Sequence, residues 1–493
     1  MRMKWPATPG SATRTLTCPC HGSDAMALFS RVEARLSRRT LLAATSASAI
    51  AAMLGMPVAS LAQVPSHPGL TVLRGGRIFD GQSARLIEGR DVLVRGNRIE
   101  ALLEAGTTVA DAQSIDCGGR TLTPGLIDAH WHALLAAIPQ LVAFTADVPY
   151  VHLVAAQEAE RTLLRGFTTV RDVGGPAFAL KRIIDEGGVA GPRIYPSGAM
   201  ISQTSGHGDF RQRSDLPRTS RNDIGAAEAA GISAIADGEA EVLRRVREQL
   251  MLGASQIKIM AGGGVASAYD PIDALQYSES EMRAAVGAAA DWGTYVCAHV
   301  YTADGIRRAL ACGVRSIEHG QLADEDAVRR MKDADAWWSL QPFLADEDAN
   351  VYASESQRMQ QQRIAEGTVR AFELGRKHGV KIAFGTDILF NPKGTAGQGR
   401  QLAKLARWFE PVDVLRLATS RNAELLALSG ARSPYPGPLG VVAAGALADL
   451  LVFEGDPLRN LDVLADPERN LKLVMKDGRL HRNELATLPP RQA

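Results

Sequence analysis

Two histidines that follow a short apolar run have the type and spacing to bind a metal ion. The run 125–127 ends shortly before His130 and His132, and Trp131 lies between them. In a β-strand, residues two apart point to the same side, so both imidazoles would share one face. Two imidazoles at one strand end can bind a single cation. A His-x-His pair alone is a weak signal, because such pairs are often only part of a polar face.

Four further side chains of ligand or catalytic type lie at or near the ends of apolar runs. Each has an ordinary alternative: a strand histidine is often a hydrogen-bonded core residue, Asp387 could cap a helix, and Lys258 could extend its amine to solvent. These separate alternatives would have to hold independently at five strand ends, which explains the pattern poorly. The residues taken together therefore favour a metal site. The four are Lys258 in Gln-Ile-Lys-Ile-Met, His299, His319, and Asp387 in Phe-Gly-Thr-Asp.

Eight strand-like runs position these residues and alternate with helix-like segments, such as 240–252, 280–291 and 303–311. This alternation predicts an α/β fold of the (β/α)₈ TIM barrel type. The carboxyl ends of barrel strands form the active face, so the six side chains would converge there. The long connection 201–239 is either functional or disordered. The eight predicted strands are 126–129, 168–172, 193–196, 256–260, 294–299, 315–319, 336–340 and 381–386.

The two ends of the chain have a different texture, with short alternating runs separated by glycine-containing turns. Antiparallel β layers show this pattern, and we predict one small β-sandwich domain formed from both termini. The predicted organisation is a presequence at 1–62, sandwich segments at 63–123 and 433–485, the barrel at 124–432, and a tail at 486–493.

The N-terminal segment has the features of an export signal. The sequence Ser-Arg-Arg-Thr-Leu-Leu at 37–42 is a twin-arginine start, followed by a small and apolar stretch. We expect cleavage near Ala62 and a periplasmic or secreted product. The alternative, a retained membrane anchor, is disfavoured because the stretch is only moderately apolar. Met26 is an alternative start.

Composition excludes several classes of partner. With 55 basic and 54 acidic residues the formal charge is +1, which gives no electrostatic reason to expect nucleic acid or an anionic membrane. We expect a small-molecule substrate, no membrane insertion after processing, and a homo-oligomer. Beyond the presequence, Cys117, Cys297 and Cys312 are too few and too scattered for a disulfide framework, and buried thiols are expected.

The ligand pattern as a whole resembles the binuclear subtype of the amidohydrolase superfamily. The resemblance covers nearly all of the chain after the presequence, from Pro-Gly-Leu-Ile-Asp-Ala-His-Trp-His at 124–132 to Ala-Asp-Leu-Leu-Val at 448–452. It implies two divalent metal ions, with Zn²⁺ expected, and a carbamylated lysine that bridges them. The implied ligands are His130, His132 and Asp387 for one ion, His299 and His319 for the other, and Lys258 for both.

Within the superfamily, four motifs resemble the imidazolonepropionase-related, prolidase-like carboxypeptidases. This group cleaves dipeptides and N-acyl amino acids at a C-terminal residue, and includes enzymes that hydrolyse ochratoxin A. Imidazolonepropionase itself uses one metal and lacks the bridging lysine, so Lys258 argues against it. The motifs are Thr-Thr-Val-Arg-Asp-Val-Gly-Gly at 168–175, Ser-Gly-His-Gly at 205–208, Ala-Gly-Gly-Gly at 261–264, and Ile-Glu-His-Gly at 317–320.

The mechanism expected from this resemblance is hydrolysis of an amide by a metal-bridging hydroxide. Asp387 would take the proton of the attacking water and pass it to the departing amine. His207 is a candidate donor to the developing oxyanion, with an exposed loop histidine as the alternative. Tyr269 could play the same part or hold the substrate carboxylate.

Two other functional classes stay open from the residues alone. A lactonase or phosphotriesterase-like hydrolase would use the same metals, and only a pocket group for a free carboxylate distinguishes a carboxypeptidase from them. A non-enzymatic binding protein of the same fold is disfavoured, because such proteins lose ligands and this chain keeps all six.

Overall fold

The N-terminal part of the chain forms six short strands, as its alternating runs predict. The computed structural model describes residues 69–216, 224–266, 269–352 and 354–488. The predicted presequence, its twin-arginine motif and residues 489–493 of the predicted tail lie outside the described residues. The first strands are β1 (Leu70–Arg74), β2 (Arg77–Ile78), β3 (Arg90–Arg95), β4 (Arg98–Glu104), β5 (Gln113–Asp116) and β6 (Thr121–Pro124).

The middle of the chain contains ten strands, and eight of them correspond to the eight predicted strands. The other two are the short strands Met200–Ser202 and Ser233–Ile235. They lie within or at the edge of the connection 201–239, where the sequence predicted no regular structure. The ten are β7 (Leu126–Trp131), β8 (Phe167–Asp172), β9 (Arg193–Pro196), β10 (Met200–Ser202), β11 (Ser233–Ile235), β12 (Ile257–Met260), β13 (Val296–Thr302), β14 (Ser316–Leu322), β15 (Trp337–Leu340) and β16 (Lys381–Phe384).

These strands pair in parallel and form two sheets rather than one continuous hydrogen-bonded ring. One sheet has the order β7-β8-β9 and the other β11-β10-β12-β13-β14-β15-β16. Backbone hydrogen bonds join the two sheets at two places: Ser255, just before β12, donates to Pro196 at 2.8 Å, and Asp387 donates to His130 at 2.8 Å. Because parallel strands end at the same edge, the candidate ligands are brought to one side of the sheets, which we call the carboxyl edge.

Helices fill the intervals between the strands, and their ends follow local sequence signals. Ser278 and Glu281 form a capping box at the start of one helix, and Gly379 adopts a left-handed conformation (φ 63°) at the end of another. The helices are α1 (Gln140–Thr145), α2 (Val148–Leu164), α3 (Phe178–Asp185), α4 (Ala226–Ala229), α5 (Glu239–Leu252), α6 (Glu279–Asp291), α7 (Ala303–Ala311), α8 (Glu325–Asp333), α9 (Glu355–His378), α10 (Gln398–Ala403), α11 (Pro411–Arg416), α12 (Asn422–Leu426) and α13 (Pro467–Asn470).

The C-terminal strands pair with those of the N-terminal part. Two five-stranded sheets result, with the orders β20-β5-β1-β3-β4 and β19-β18-β17-β6-β2. β17 is antiparallel to β6, with Leu450 opposite Pro124, and β20 is antiparallel to β5. The predicted domain boundaries stay predictions, and β20 lies inside the segment predicted as a tail. The strands are β17 (Leu450–Phe453), β18 (Leu471–Lys476), β19 (Arg479–Asn483) and β20 (Thr487–Leu488).

The three cysteines beyond the presequence are free and buried, as predicted: Cys117, Cys297 and Cys312. Among the described residues, no helix combines the length and the apolar character needed to cross a membrane.

Candidate metal centre

The six predicted ligands lie at the carboxyl edge of the parallel strands. Five of the side chains are buried, and the Asp387 side chain is 16% exposed. A cluster of buried imidazoles around one carboxylate is the donor set that divalent transition metals bind. The six come from four strands and from the segments that follow β7 and β16: His130 in β7, His132 after it, Lys258 in β12, His299 in β13, His319 in β14, and Asp387 after β16.

Three of these residues approach one another around the Asp387 carboxylate. Its Oδ1 lies 3.1 Å from Nε2 of His132 and 3.3 Å from Nε2 of His130. One ligand atom from each of His130, His319 and Asp387 lies within 4.8 Å of the others. The buried Nε2 of His130 makes no hydrogen bond within the described residues, because the approach of Asp387 lacks hydrogen-bond geometry. A buried nitrogen without a partner, aimed at a carboxylate, fits a metal ligand.

His299 and His319 lie beside this group, with ring centroids 4.5 Å apart. Nδ1 of His319 lies 2.8 Å from the side-chain oxygen of Gln341, so Nδ1 is the protonated nitrogen and Nε2 keeps its lone pair. Burial lowers the pKa of both imidazoles well below the ordinary value, and for His299 the neighbouring His207 and His319 add to the effect. Both rings are therefore neutral near pH 7, which is the form that binds metals.

Lys258 is 2% exposed, so the alternative in which its amine extends to solvent is wrong. Its amine makes no hydrogen bond or ion pair within the part of the chain that the structure describes. Burial lowers the pKa of Lys258, although the nearby Glu318 and Asp387 carboxylates oppose the change. A buried, unpaired amine is costly to keep charged and is a common sign of a functional lysine.

Asp387 is held in an uncommon backbone conformation by bonds to β7. Its φ is 52°, and no helix begins at this residue, so the N-cap alternative is wrong. Asp128 accepts hydrogen bonds from the Thr386 hydroxyl at 2.7 Å and from the His130 amide at 3.1 Å. A Cβ at Gly385 would overlap His130, which explains the glycine in Phe-Gly-Thr-Asp. The segment before Asp387 is thus fixed against the strand that carries His130.

Asp387 is ionised in this setting. Burial alone would raise its pKa, but the imidazoles of His130 and His132 outweigh that effect and hold the pKa well below the ordinary value. An ionised carboxylate can bind a cation or accept a proton from water.

Glu318 supports the centre, and sequence reasoning missed it. Its carboxylate, 0% exposed, accepts from both Arg171 and His130: Oε2 lies 2.7 Å from the guanidinium and 2.8 Å from Nδ1 of the imidazole. The bond at Nδ1 fixes the His130 ring and leaves Nε2 to face Asp387. Alternation along β14 places Glu318 and His319 on opposite faces, but the positive φ of His319 (74°) turns its side chain to the same centre.

His207 contacts the predicted ligands directly. Its ring stacks on His299 with centroids 4.1 Å apart, and Nδ1 lies 3.1 Å from a carboxylate oxygen of Asp270. The side chain is 17% exposed, so the exposed-loop alternative is wrong. A Cβ at Gly264 would overlap the imidazole, and the glycine-rich loop after β12 therefore makes room for His207.

The two tyrosines at the centre differ in position. Tyr269, which the sequence singled out, is 37% exposed, and its ring lies 5.8 Å below the guanidinium of Arg213 at the rim. Tyr301 was not singled out from the sequence. It is buried, and its ring stacks on that of His319 with centroids 5.1 Å apart. Its hydroxyl makes no hydrogen bond within the described residues. Burial and the nearby Asp387 raise the pKa of Tyr301 well above 10.0, so the hydroxyl remains a donor.

With the geometry established, comparison with known proteins identifies the protein's relatives. The model of the amidohydrolase family matches residues 121–481. The ochratoxinase of Aspergillus niger is 33% identical over 330 residues, a match that covers 64% of this chain and 66% of the relative, just under two thirds of its length.

Similar proteins of solved structure match a larger share of this chain. A prolidase crystallised with N-methylphosphonate-L-proline is 37% identical, with a TM-score of 0.77, and covers 84% of this chain and 100% of its own. A crystal structure of another amidohydrolase is 36% identical, with a TM-score of 0.78, and covers 85% of this chain and 100% of its own. These similarities identify the arrangement of parallel strands and helices as a TIM-barrel-type α/β fold.

Proposed function

Because the chain belongs to the amidohydrolase family, we propose that it hydrolyses the amide bond to a C-terminal amino acid, in dipeptides or N-acyl amino acids, at a binuclear metal centre. The observation that carries the proposal is the convergence of six ligand-type side chains. Among them are a buried imidazole nitrogen and a buried lysine amine that make no hydrogen bond within the described residues. The similarity to an ochratoxinase and to a prolidase that was crystallised with a proline derivative supports the choice of bond.

The donor set fits two divalent ions, for which we propose Zn²⁺. His130, His132 and Asp387 would hold one ion, and His299 and His319 the other. The 3.1 Å and 3.3 Å approaches of Asp387 Oδ1 to two imidazole nitrogens support shared coordination of the first ion. When bound, such ions supply a water that ionises near neutral pH and polarise the scissile carbonyl.

Lys258 is the proposed bridge. Its neutral amine would attack the carbon of CO₂, forming an N–C bond and releasing a proton, so that a carbamate anion with two oxygens replaces the amine. The lowered pKa of Lys258 favours the neutral amine that this reaction needs. The absence of any hydrogen bond to that amine in the described chain leaves it available for the modification, and its burial protects the carbamate from solvent.

Asp387 is the proposed proton carrier. Its pKa is held well below the ordinary value, so it starts as a carboxylate that can accept a proton from the attacking water. Once protonated, the same oxygen can donate to the amine nitrogen as the C–N bond breaks. Its two approaches at 3.1 Å and 3.3 Å place it at the centre of the ligands rather than at their edge.

His207 and Tyr301 are the proposed donors to the carbonyl oxygen as negative charge develops there. His207 is oriented by Asp270 and by its stacking on His299. Tyr301 keeps its proton and has a hydroxyl without a partner in the described chain, beside His319. Tyr269 lies farther out under Arg213, and a part in holding the substrate carboxylate suits its exposure better than contact with the oxyanion.

The test is a substrate panel with metal-replete enzyme. It contains Xaa-Pro dipeptides, N-acyl amino acids, the matching carboxamides, ochratoxin A, a lactone and paraoxon. We expect hydrolysis of the acids, with at least tenfold lower kcat/KM for the carboxamides, because a lost charged hydrogen bond costs about 1.5–3 kcal/mol. Equal values for acid and amide, or faster turnover of the lactone or paraoxon, would contradict the proposal.

A further inference from the structure

Three phenylalanines from three different segments form a contiguous aromatic cluster. Phe144 lies on α1, with its ring centroid 4.9 Å from that of Phe210 and 5.6 Å from that of Phe390. These separations are typical of attractive aromatic pairs. All three residues are partly buried and pack against a hydrophobic core cluster that includes Leu135 and Ile388. We call these three residues the aromatic wall.

Each segment of the wall follows a residue of the metal centre. Phe390 is three residues after Asp387, Phe210 is three residues after His207, and α1 is the first helix after His132. In barrels of this type the loops after the strands shape the substrate pocket. The wall therefore borders the metal centre by connectivity.

Backbone bonds fix the wall to the side of the centre formed by His132 and Asp387. Phe390 donates to the Leu135 carbonyl at 2.9 Å, and Leu135 itself donates to the carbonyl of His132 at 3.0 Å. Since His132 and Asp387 approach to 3.1 Å, the chain between Asp387 and Phe390 and the chain between His132 and Leu135 are joined at both ends.

Phe390 adopts an uncommon backbone conformation. Its φ is 53°, in the left-handed region that bulky side chains rarely occupy. Such conformations are concentrated at binding sites, where the surrounding structure holds them. Here the Phe390 ring packs edge-on against Phe144.

We propose that the aromatic wall binds the side chain of the leaving amino acid and selects apolar, above all aromatic, residues at that position. The inference rests on the proposed function, because Asp387 must reach the leaving nitrogen to protonate it. The leaving amino acid therefore lies on the Asp387 side of the centre, where the wall is attached. Phe343 lies outside the wall, with its ring 6.2 Å from that of His319, and would contact the acyl half.

The experiment measures kcat/KM for N-acetylglycine, N-acetyl-leucine and N-acetyl-phenylalanine, which share one acyl group. Hydrocinnamoyl-glycine extends the acyl half instead. Wild type is compared with Phe390→Ala, Phe144→Ala and the more conservative Phe390→Leu. Phe343→Ala is the matched control, because it removes a phenylalanine that lies beside His319 and outside the wall. Calorimetry with L-phenylalanine and with glycine, the two products, measures recognition without turnover.

We expect the wild type to prefer N-acetyl-phenylalanine to N-acetylglycine, and Phe390→Ala and Phe144→Ala to reduce that ratio by about tenfold or more. Phe390→Leu should retain part of the preference, and Phe343→Ala should leave the ratio unchanged. Equal losses on both substrates, or a loss confined to hydrocinnamoyl-glycine, would overturn the inference while leaving amide hydrolysis intact. If no amide is hydrolysed, the proposed function fails, and the product titrations decide the wall separately: equal affinity for L-phenylalanine in wild type and Phe390→Ala would overturn it.

Discussion

Replacement of Glu318 by glutamine tests a residue that supports the proposed metal centre but is not one of its proposed ligands. The glutamate is 0% exposed and lies between Arg171 and His130, with contacts of 2.7 Å and 2.8 Å from the same carboxylate oxygen. Glutamine keeps the size of the side chain but removes the charge. Arg171 is then a buried cation without an anion, and the His130 Nδ1 proton faces a weaker acceptor or an amide donor.

Two magnitudes follow from this geometry. Removing one partner of a buried ion pair costs about 3–5 kcal/mol in the free energy of unfolding. Loss of the bond that orients a metal-binding histidine reduces metal affinity by about 10–100-fold. We expect Glu318→Gln to show both effects, and most of the loss of activity should be recovered when the metal concentration is raised.

The assay is chelator competition for the metal affinity, with urea unfolding of the metal-free protein measured in parallel. Asp449→Asn is the matched control. Asp449 is also buried, and it accepts a hydrogen bond from Arg193 at 2.9 Å. Arg193 begins β9 and Asp449 directly precedes β17, so the pair lies away from the carboxyl edge. The control should lose stability yet keep its metal affinity. Unchanged metal affinity in Glu318→Gln would refute the role assigned to this residue.

The pH dependence of the same variant gives an independent check. Burial would raise the pKa of Glu318, but Arg171 and His130 outweigh it, and the folded-state pKa lies well below the ordinary 4.5. The carboxylate therefore contributes stability at pH values above about 4.5, and that contribution falls as the pH decreases through the folded-state pKa. The difference in unfolding free energy between wild type and Glu318→Gln should be constant near neutrality and shrink in acid.

Three further predictions concern the proposed bridge, the proton carrier and export. Lys258→Ala should lose most activity and at least one equivalent of metal, and short carboxylic acids should restore part of the activity; full metal content with full activity would rule out the bridge. Asp387→Asn should keep much of its metal but lose orders of magnitude in kcat, because the amide cannot carry the proton, and a nearly native kcat with metal bound would contradict the role. Changing Arg38 and Arg39 to lysine should retain the protein in the cytoplasm by cell fractionation while the purified enzyme stays active; unchanged export would contradict the twin-arginine route.

The strands and the six candidate ligands could be predicted because both depend on local patterns. Short apolar runs predict buried parallel strands, and a polar residue at the end of such a run lies at the carboxyl edge whatever the rest of the chain does. Tyr301 was within reach of the same reasoning, because it is two residues after His299 in β13 and shares its face by simple alternation. The strands β10 and β11 were not, since each has three residues and depends on pairing with a distant partner.

Strand periodicity does not predict how the side chains of the site are oriented, because some of these residues have uncommon backbone conformations. His319, Asp387 and Phe390 all have positive φ, at 74°, 52° and 53°. Each conformation costs about 1–3 kcal/mol and persists only where other bonds hold it. Those bonds come from distant parts of the chain.

The Trp338 indole donates to the His319 carbonyl at 2.6 Å, and the Asp387 amide donates to the His130 carbonyl at 2.8 Å. A single sequence displays neither contact, so it predicts which residues reach the carboxyl edge but not how they turn toward one another. The turn is what places Asp387 between two imidazoles. A substitution that weakens one of these distant bonds should therefore reduce metal affinity without altering any ligand, as Glu318→Gln is expected to do from the barrel interior.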